Sequence, residues 1–196
     1  MTRILLIRHG ATDSAGSVLC GRMPGVHLNA EGRAQAQQLG KYLKNYEALA
    51  AVVCSPLERA VETADALSAP QGIPVTIDQR FNEFDFGVWT GRTFAQLREQ
   101  PMWAEYNQYR STHGAPEGEA LVDVQGRAWK GIHSLCDQFP EATAAVVSHA
   151  DVIRSILMLA LGMPLDNILR LDIQPASVSE LSVGAGEPVL HRLGLL

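Results

Sequence analysis

Residues 4–10 read Ile4-Leu5-Leu6-Ile7-Arg8-His9-Gly10, four apolar residues followed at once by a cation and an imidazole. The apolar run does not alternate with polar residues, which is typical of a strand that is buried on both faces of a sheet. Two later runs share this pattern, Ala51–Val53 and Ala144–Val147. The sequence therefore predicts a central sheet with other layers packed on both of its sides.

Segments with the spacing of amphipathic helices lie between these runs. The first follows a candidate N-cap at Asn29, and the others cover residues 57–67, 121–139 and 152–160. Alternation of strands and helices predicts an α/β fold with helices on both faces of the sheet.

The pattern changes in two other regions. The segment from Phe94 to Tyr109 has helical character, is broken at Pro101, and is expected to overhang a site. Near the C-terminus three short strands are predicted, so that the sheet is expected to be mixed: Leu169–Ile173, Ser177–Val183 and Val189–Arg192. The sequence contains no low-complexity linker and no internal repeat, which predicts one domain over residues 1–196.

Composition limits the classes of partner. The chain has 16 basic and 21 acidic residues and a formal net charge of -5, which argues against a nucleic-acid or anionic-membrane surface. Cys20, Cys54 and Cys136 are widely spaced, so neither a disulfide framework nor a zinc site is predicted. No apolar segment has the length of a signal-peptide core or a membrane span. We expect a cytoplasmic protein that captures any anion at a local site.

Each buried run ends in a cluster of polar residues. Arg8-His9-Gly10 follows the first run, Ser55 to Arg59 follows the second, and Ser148-His149 follows the third. The carboxyl ends of parallel strands share one crevice in an α/β sheet, so these clusters are expected to meet in space. The helices that begin after Ser55 and Ser148 would direct the positive ends of their dipoles into the same crevice. The sequence thus predicts an anion site.

The residue types in these clusters favour phosphoryl chemistry. Arg8 and Arg59 present planar forks of donors that match phosphate oxygens, and His149 would hydrogen-bond the same oxygens. The imidazole of His9 is a candidate nucleophile that would attack phosphorus and form a phosphohistidine. The alternative is a metal site, which two arginines in the same crevice would disfavour; its ligands would be His9, His149, Glu83 and Asp151.

A leaving alkoxide needs a proton, and Glu83 is the strongest candidate donor. It lies in Phe81-Asn82-Glu83-Phe84-Asp85-Phe86-Gly87, where aromatic neighbours are expected to raise the pKa of a carboxyl group. Asp85 and Asp151 are weaker candidates for the same role.

Four motifs carry a resemblance to a known family: Leu6-Ile7-Arg8-His9-Gly10-Ala11-Thr12, Ser55-Pro56-Leu57-Glu58-Arg59-Ala60, Glu83 to Gly87, and Ser148-His149-Ala150-Asp151-Val152-Ile153-Arg154. In this order they resemble the histidine phosphatase superfamily. The branch is the phosphoglycerate mutase-like one, which includes cofactor-dependent phosphoglycerate mutases, fructose-2,6-bisphosphatase domains and α-ribazole phosphatase. Residues 21–26 and 175–179 most resemble a bacterial subgroup of phosphatases or phosphomutases.

The resemblance implies a three-layer α/β/α sandwich with a mostly parallel central sheet. It implies His9 as nucleophile and Glu83 as general acid and base. It also implies no metal, no cofactor, a small phosphorylated metabolite as substrate and, from the habit of the family, a homodimer. The residues that it places around the substrate are Arg8, Arg59 and His149 in the phosphate pocket, with Ala150, Gly21 and Arg22 beside them.

Two departures from the family pattern bear on activity. Many members carry Glu directly after the first Arg-His-Gly and Asn shortly after it, whereas this chain has Ala11, Asp13, Ser14 and Ala15 in that region. No Arg-Arg pair of the kind that phosphoglycerate mutases use follows Glu83. We therefore predict a metal-independent phosphatase, a phosphoric monoester hydrolase. The alternatives are a phosphoglycerate mutase-type phosphomutase and a non-catalytic module that binds phosphate ligands.

Overall fold

A computed structural model describes residues 1–46 and 48–195. The strands are β1 (Thr2–Arg8), β2 (Ala51–Cys54), β3 (Val75–Ile77), β4 (Thr143–Ser148), β5 (Val178–Val183) and β6 (Val189–Leu195). They form one sheet in the order β3-β2-β4-β1-β5-β6. Strands β1 to β4 run parallel to one another, whereas β5 is antiparallel to β1 and β6 to β5. The predicted mixed, mostly parallel sheet is confirmed.

Helices cover both faces of this sheet: α1 (Ala30–Tyr46), α2 (Glu58–Ser68), α3 (Phe94–Arg98), α4 (Pro101–Gln108), α5 (Leu121–Gln138) and α6 (Ala150–Ala160). Helices α1 and α2 contribute to one apolar cluster, and α3 to α6 contribute to the other. Within the described residues, no helix combines the length and the apolar character that a membrane span requires.

The two apolar clusters explain why β1 lacks polar residues. Leu5 and Ile7 pack into the cluster under α1 and α2, whereas Ile4 and Leu6 pack into the cluster under α5 and α6. All four side chains are at most 1% exposed. Because each such side chain stabilises the fold by roughly 1.5–3 kcal/mol when buried, a polar residue on either face would be costly.

The predicted helix boundaries match local capping. The Gly32 amide donates a hydrogen bond to Asn29 Oδ1 at 2.8 Å, which confirms Asn29 as the cap of α1. Pro101 is the first residue of α4 and α3 ends at Arg98, so the predicted break at the proline is also confirmed. Proline is tolerated at this first position because its missing N–H has no partner there.

The predicted strand at Leu169–Ile173 is wrong. Residues 165–170 form a 3₁₀-helix, and the chain after it joins no strand. The carbonyl oxygens of Leu171 and Ile173 accept hydrogen bonds from the Arg154 and Arg8 side chains instead of from a neighbouring strand. The side chains of Leu171 and Ile173 are both buried, so the spacing of apolar residues in this segment resembles that of a strand. Strand β3, with three residues, was too short to be predicted.

The register of the sheet places the three polar clusters side by side. Strand β4 lies between β2 and β1, and Arg8 is opposite Ser148. The His9 amide donates to the Ser148 carbonyl oxygen, and the Ser55 amide donates to the Val147 carbonyl oxygen, both at 3.0 Å. The predicted convergence at the carboxyl ends of the strands is therefore confirmed.

Candidate active site

A cavity of about 360 Å³ lies at this edge of the sheet. Its volume is at the small end of the range of about 300–1,000 Å³ that is common for small-molecule sites. Trp103 and Asn107 of α4 line it, so this helix overhangs the crevice as expected. The charged residues that line it are Arg8, Arg59, Glu83, Arg110, Asp151 and Arg154.

The loop that carries His9 is pinned to the first turn of α1. A Cβ atom on Gly32 would lie 2.1 Å from the Ala11 carbonyl oxygen, and one on Gly10 would lie 2.6 Å from the Gly32 carbonyl oxygen. Only glycine permits backbones to approach this closely. On the other side, the Ala176 amide donates to the carbonyl oxygens of Arg8 and His9. The imidazole therefore projects from a backbone that is fixed on both sides.

His9 is held as one tautomer. Its Nδ1 lies 2.7 Å from the Gly10 carbonyl oxygen, and because that oxygen can only accept, Nδ1 carries the hydrogen. The lone pair is then on Nε2. Burial, followed by the positive charges of Arg59 and Arg8, lowers the pKa of His9 to about 3, although the hydrogen bond to Gly10 opposes the shift. The side chain is therefore a neutral imidazole with an available nitrogen lone pair near neutral pH.

Arg59 joins the two histidines of the site. Its Nε lies 3.2 Å from His9 Nε2, and its Nη2 lies 3.3 Å from His149 Nδ1 and 2.8 Å from the Gly21 carbonyl oxygen. The residue is 3% exposed, and its Nη1 has no hydrogen-bond partner. An unpartnered guanidinium nitrogen in a buried site calls for an acceptor, and a phosphoryl oxygen is a suitable one.

His149 is fully buried behind Arg59. Because a guanidinium only donates, Nδ1 of His149 accepts from Arg59 and the hydrogen is on Nε2, which donates to Ser55 Oγ at 2.7 Å. Burial and Arg59 hold the pKa of His149 well below its ordinary value. The Ser55 hydroxyl can donate as well as accept. It can therefore pair with either tautomer of His149 when a ligand replaces the contact between His149 and Arg59.

Glu83 has the properties of a proton donor. Burial, followed by repulsion from Asp151, raises its pKa to about 7, although Arg59 opposes the shift. Oε1 accepts from the Phe84 amide at 2.8 Å, and Oε2 lies 3.7 Å from His149 Nδ1. The carboxyl group is therefore oriented, lies beside the histidines and keeps its proton to near neutral pH.

The two weaker acid candidates are placed differently. Asp151 lines the cavity, but Arg110 and Arg154 bind its two oxygens and, against the effect of burial, hold its pKa below the ordinary value. Asp85 is not among the residues that line the cavity, and it accepts from the Gly87 amide at 3.0 Å. Neither carboxylate is suited to donate a proton in the cavity.

Two of the three remaining predicted substrate contacts line the cavity, and the third does not. Gly21 and Ala150 line the cavity, Ala150 as the first residue of α6. Arg22 is not among the lining residues: its Nε donates to the Glu83 carbonyl oxygen at 2.8 Å, and its Nη2 lies 2.8 Å from Glu119 Oε2. In this position Arg22 supports the Glu83 segment.

Comparison with known families gives the assignment. The family model described as histidine phosphatase superfamily (branch 1) matches residues 4–195. The chain belongs to this superfamily. The family that the four motifs predicted is therefore confirmed over nearly the whole chain.

Several relatives of this histidine phosphatase are named as phosphatases. Glucosyl-3-phosphoglycerate phosphatase of Mycolicibacterium vanbaalenii is 33% identical over 84% of this chain and 76% of that protein. Bifunctional protein Rv2228c of Mycobacterium tuberculosis is 34% identical over 91% of this chain and 49% of that protein, so this chain spans about half of its length.

A solved structure supports the fold. The structure of mycobacterial glucosyl-3-phosphoglycerate phosphatase Rv2419c with VO3 has a TM-score of 0.89 to this chain at 28% identity, and 99% of each chain is covered. The predicted phosphoglycerate mutase-like α/β architecture is confirmed. The names of these relatives agree with the predicted phosphatase class.

Sequence reasoning missed Arg127, which binds the backbone of the segment that carries Glu83 in this histidine phosphatase. Its guanidinium donates to the carbonyl oxygens of Arg80, Asn82 and Glu83 at 2.8, 2.7 and 3.1 Å. It also donates to both carboxylate oxygens of Glu119, at 3.1 and 3.0 Å. Four acceptor groups before and after Glu83 thus depend on one side chain of α5.

Replacing Arg127 with methionine is expected to loosen Glu83 without removing it. The substitution leaves carbonyl oxygens without their charged donor, which should lower the free energy of unfolding by about 2 kcal/mol. We expect kcat/KM to fall about 10- to 100-fold. Water that enters around Glu83 would lower the pKa of its carboxyl group, so the alkaline limb of the pH profile should move to lower pH.

Lys130→Met, on the exposed side of the same helix, is the control and should preserve both the rate and the pH profile. Urea unfolding and a pH series of kcat/KM on phosphomonoesters would measure these effects. A full rate with Arg127→Met would show that Glu83 does not need this support.

Proposed function

We propose that this chain is a metal-independent phosphatase that hydrolyses a small phosphorylated metabolite through a phosphohistidine on His9. The observation that carries the proposal is the pairing of a neutral imidazole, Nε2 unprotonated, with a protonated carboxyl group in one cavity. Binding alone requires neither a nucleophile nor a proton donor.

The phosphate pocket supplies positive charge at the carboxyl ends of β1 and β2. Arg8 and Arg59 both line the cavity, and Arg8 Nε and Arg59 Nη1 have no hydrogen-bond partner. Donors fixed in a buried site stabilise the charge of a transferring phosphoryl group at little reorganisation cost. The amino-terminal end of α6, where Ala150 lines the cavity, adds its positive dipole end.

In the first step, His9 Nε2 attacks phosphorus and the bond from phosphorus to the ester oxygen breaks. The proton of Glu83 passes to that oxygen, so the leaving group departs as an alcohol. The Gly10 carbonyl oxygen, which accepts from Nδ1, stabilises the positive charge that develops on the imidazole. Arg59, whose Nε donates to His9 Nε2 at 3.2 Å, turns its donors to the phosphoryl oxygens.

In the second step, water attacks the phosphorus of phosphohistidine. The Glu83 carboxylate takes one proton of the water, and the bond from nitrogen to phosphorus breaks to release inorganic phosphate. His9 is neutral again and Glu83 is again protonated. The same carboxyl group thus acts as acid and then as base, for which a pKa of about 7 is suitable.

A mutase would use the same first step and return the phosphoryl group to another hydroxyl of the substrate. The phosphatase is favoured because relatives that cover most of this chain are named as phosphatases of glucosyl-3-phosphoglycerate. We therefore include glucosyl-3-phosphoglycerate among the candidate substrates. The proposal also includes a homodimer, which rests only on the resemblance to the family.

The test is phosphate release from a panel of phosphorylated metabolites, including both phosphoglycerates, with product isomers recorded. We expect release from one compound or a few, unchanged by EDTA and inhibited competitively by vanadate. Vanadate is chosen because a related phosphatase was solved with VO3. Isomers without free phosphate would select the mutase, loss of activity in EDTA would select the metal site, and absence of any reaction would select the binding module.

A further inference from the structure

Arg22 lies outside the cavity, but its neighbour in the chain belongs to the phosphate pocket. The Gly21 carbonyl oxygen accepts from Arg59 Nη2 at 2.8 Å, and Gly21 lines the cavity. Arg22 is not among the lining residues, and the proposed chemistry does not use its charge. A pocket residue and a cation outside the cavity are thus joined by one peptide bond.

All three guanidinium nitrogens of Arg22 contact the segment that carries Glu83 or the carboxylate that binds this segment. Nε donates to the Glu83 carbonyl oxygen at 2.8 Å, and Nη2 lies 2.8 Å from Glu119 Oε2. Nη1 lies 3.5 Å from Asp85 Oδ2. Glu119 Oε2 also accepts from the Asp85 amide at 3.1 Å. Arg22 is therefore bound to the backbone of Glu83 and to two carboxylates near it.

The backbone of Gly21 packs directly against the residues that follow Glu83. Gly21 has a φ of 48°, in the left-handed region. A Cβ atom at this position would lie 3.1 Å from Phe86 Cδ2 and 3.1 Å from Thr90 Oγ1. Glycine is the residue that permits both this conformation and this close approach. The connection between the pocket and the Glu83 segment is therefore short and closely packed.

Arg127 does not make the same connection. It donates to the same Glu83 carbonyl oxygen, but it belongs to α5, and none of the residues of α5 lines the cavity. Arg22 directly follows the residue that accepts from Arg59. Arg22 thus links Arg59, which would bind the phosphoryl group, to Glu83, which would protonate the ester oxygen.

Proton donation depends on the distance between Glu83 and the bound phosphoryl group. A general acid has to lie within hydrogen-bond reach of the ester oxygen, and a misplacement of about 1 Å can cost about 10²-fold in rate. Arg59 belongs to α2, whereas Glu83 lies between β3 and α3. Because the two groups come from separate parts of the chain, a further contact has to fix the distance between them.

We propose that Arg22 is a positioning residue that holds Glu83 at the distance from the phosphate pocket at which its proton reaches the ester oxygen. This inference rests on the proposed phosphatase function and adds a residue to its acid step. Loss of Arg22 should then affect the esters whose leaving group needs a proton and spare those whose leaving group does not.

The experiment compares these two kinds of ester. Benzyl phosphate and glycerol 3-phosphate release alcohols that need a proton, whereas p-nitrophenyl phosphate releases a phenolate that departs without one. For Arg22→Met we expect kcat/KM on the two alkyl esters to fall about 10- to 100-fold. The rate on p-nitrophenyl phosphate and the inhibition constant of vanadate should change by less than about threefold.

The side chain of Arg22 is 32% exposed, so its replacement leaves the apolar core intact. Arg22→Lys can keep the ion pair with Glu119 and should show the same selective loss to a smaller degree. It gives the same comparison if Arg22→Met does not fold. Arg98→Met, at an exposed arginine at the end of α3, is the control and should leave the rates on both kinds of ester unchanged.

A double variant separates positioning from a general structural role. Because Arg22 is proposed to act through Glu83, its loss should cost little more once Glu83 is glutamine. The variant with both Arg22→Met and Glu83→Gln should therefore hydrolyse the alkyl esters about as fast as Glu83→Gln alone.

Three results would overturn this inference. Equal losses for both kinds of ester, with weaker inhibition by vanadate, would show that Arg22 shapes the phosphate pocket itself. Losses that multiply in the double variant would show that Arg22 acts independently of Glu83. A wild type that hydrolyses p-nitrophenyl phosphate but neither alkyl ester has no acid step to position, although the phosphatase function stands. If the wild type hydrolyses none of the three esters, the phosphatase function itself fails and this inference falls with it.

Discussion

Replacing His9 with alanine should abolish turnover, with kcat reduced by at least about 10⁴-fold. The substitution removes the nitrogen that would form the bond to phosphorus while leaving the rest of the pocket in place. Arg8, Arg59 and His149 would still bind phosphate, so the affinity for vanadate or phosphate should change much less than kcat.

Phosphoenzyme labelling tests the role of His9 directly. Wild-type protein mixed with substrate and quenched in base should carry a phosphoryl group that acid removes, as is characteristic of phosphohistidine. His9→Ala should carry none. The matched control is His133→Ala, because His133 lies on the exposed side of α5 with its ring against Trp129. Substantial phosphate release by His9→Ala would assign the nucleophile to water or to another residue.

The elements that hold the nucleophile could be predicted because they follow from local patterns. A strand buried on both faces has no polar position until it reaches the edge of the sheet, so the first polar residues after Ile7, Cys54 and Val147 lie near the crevice. Parallel pairing of β2, β4 and β1 then brings them together regardless of their separation along the chain. The predicted positions of Arg8, His9 and His149 needed no more than this, whereas Arg59 reaches the crevice as the second residue of α2, which begins shortly after β2.

The supporting residues could not be predicted in the same way. Arg127 acts mainly on backbone carbonyl oxygens of residues 80–83, which are present in every sequence and carry no signature. Arg110, which lines the cavity, binds Asn107 and also Asp151, which is 41 positions later in the chain. The error at Leu169–Ile173 has the same origin, since the carbonyl groups there serve two arginine side chains.

Replacing Glu83 with glutamine should remove the proton donor and keep the shape of the site. We expect kcat/KM for alkyl phosphates to fall about 10²- to 10⁴-fold, the usual contribution of general acid catalysis. For p-nitrophenyl phosphate the loss should be much smaller, because p-nitrophenolate departs without a proton. Glu99→Gln, at the exposed end of α3, is the control. Equal losses for both kinds of ester would remove the acid role from Glu83.

The pH dependence has a defined sign. His9 loses its proton near pH 3 and Glu83 near pH 7, so His9 is neutral over the working range and the loss of the Glu83 proton should lower kcat/KM of the wild type above about pH 7. The Glu83→Gln variant should lack the fall above pH 7, because glutamine does not ionise. A wild-type profile that rises through pH 7 would require an ionised Glu83 in the first step.

The same substitution should stabilise the free protein at alkaline pH. Glu83 is protonated in the folded protein up to about pH 7, whereas its ordinary pKa is 4.5. Between these values the unfolded chain alone has lost the proton, so the wild type loses stability as the pH rises from 4.5 to 7. The Glu83→Gln variant does not lose this stability. Its free energy of unfolding should therefore exceed that of the wild type by a margin that grows to at most about 3 kcal/mol above pH 7.

Urea unfolding of both proteins at pH 5 and pH 8 measures this difference. A variant that is slower than the wild type and yet more stable at pH 8 would show that the buried acid is kept for catalysis at a cost to stability. If the variant and the wild type differ by the same amount at both pH values, the pKa of Glu83 lies in its ordinary range.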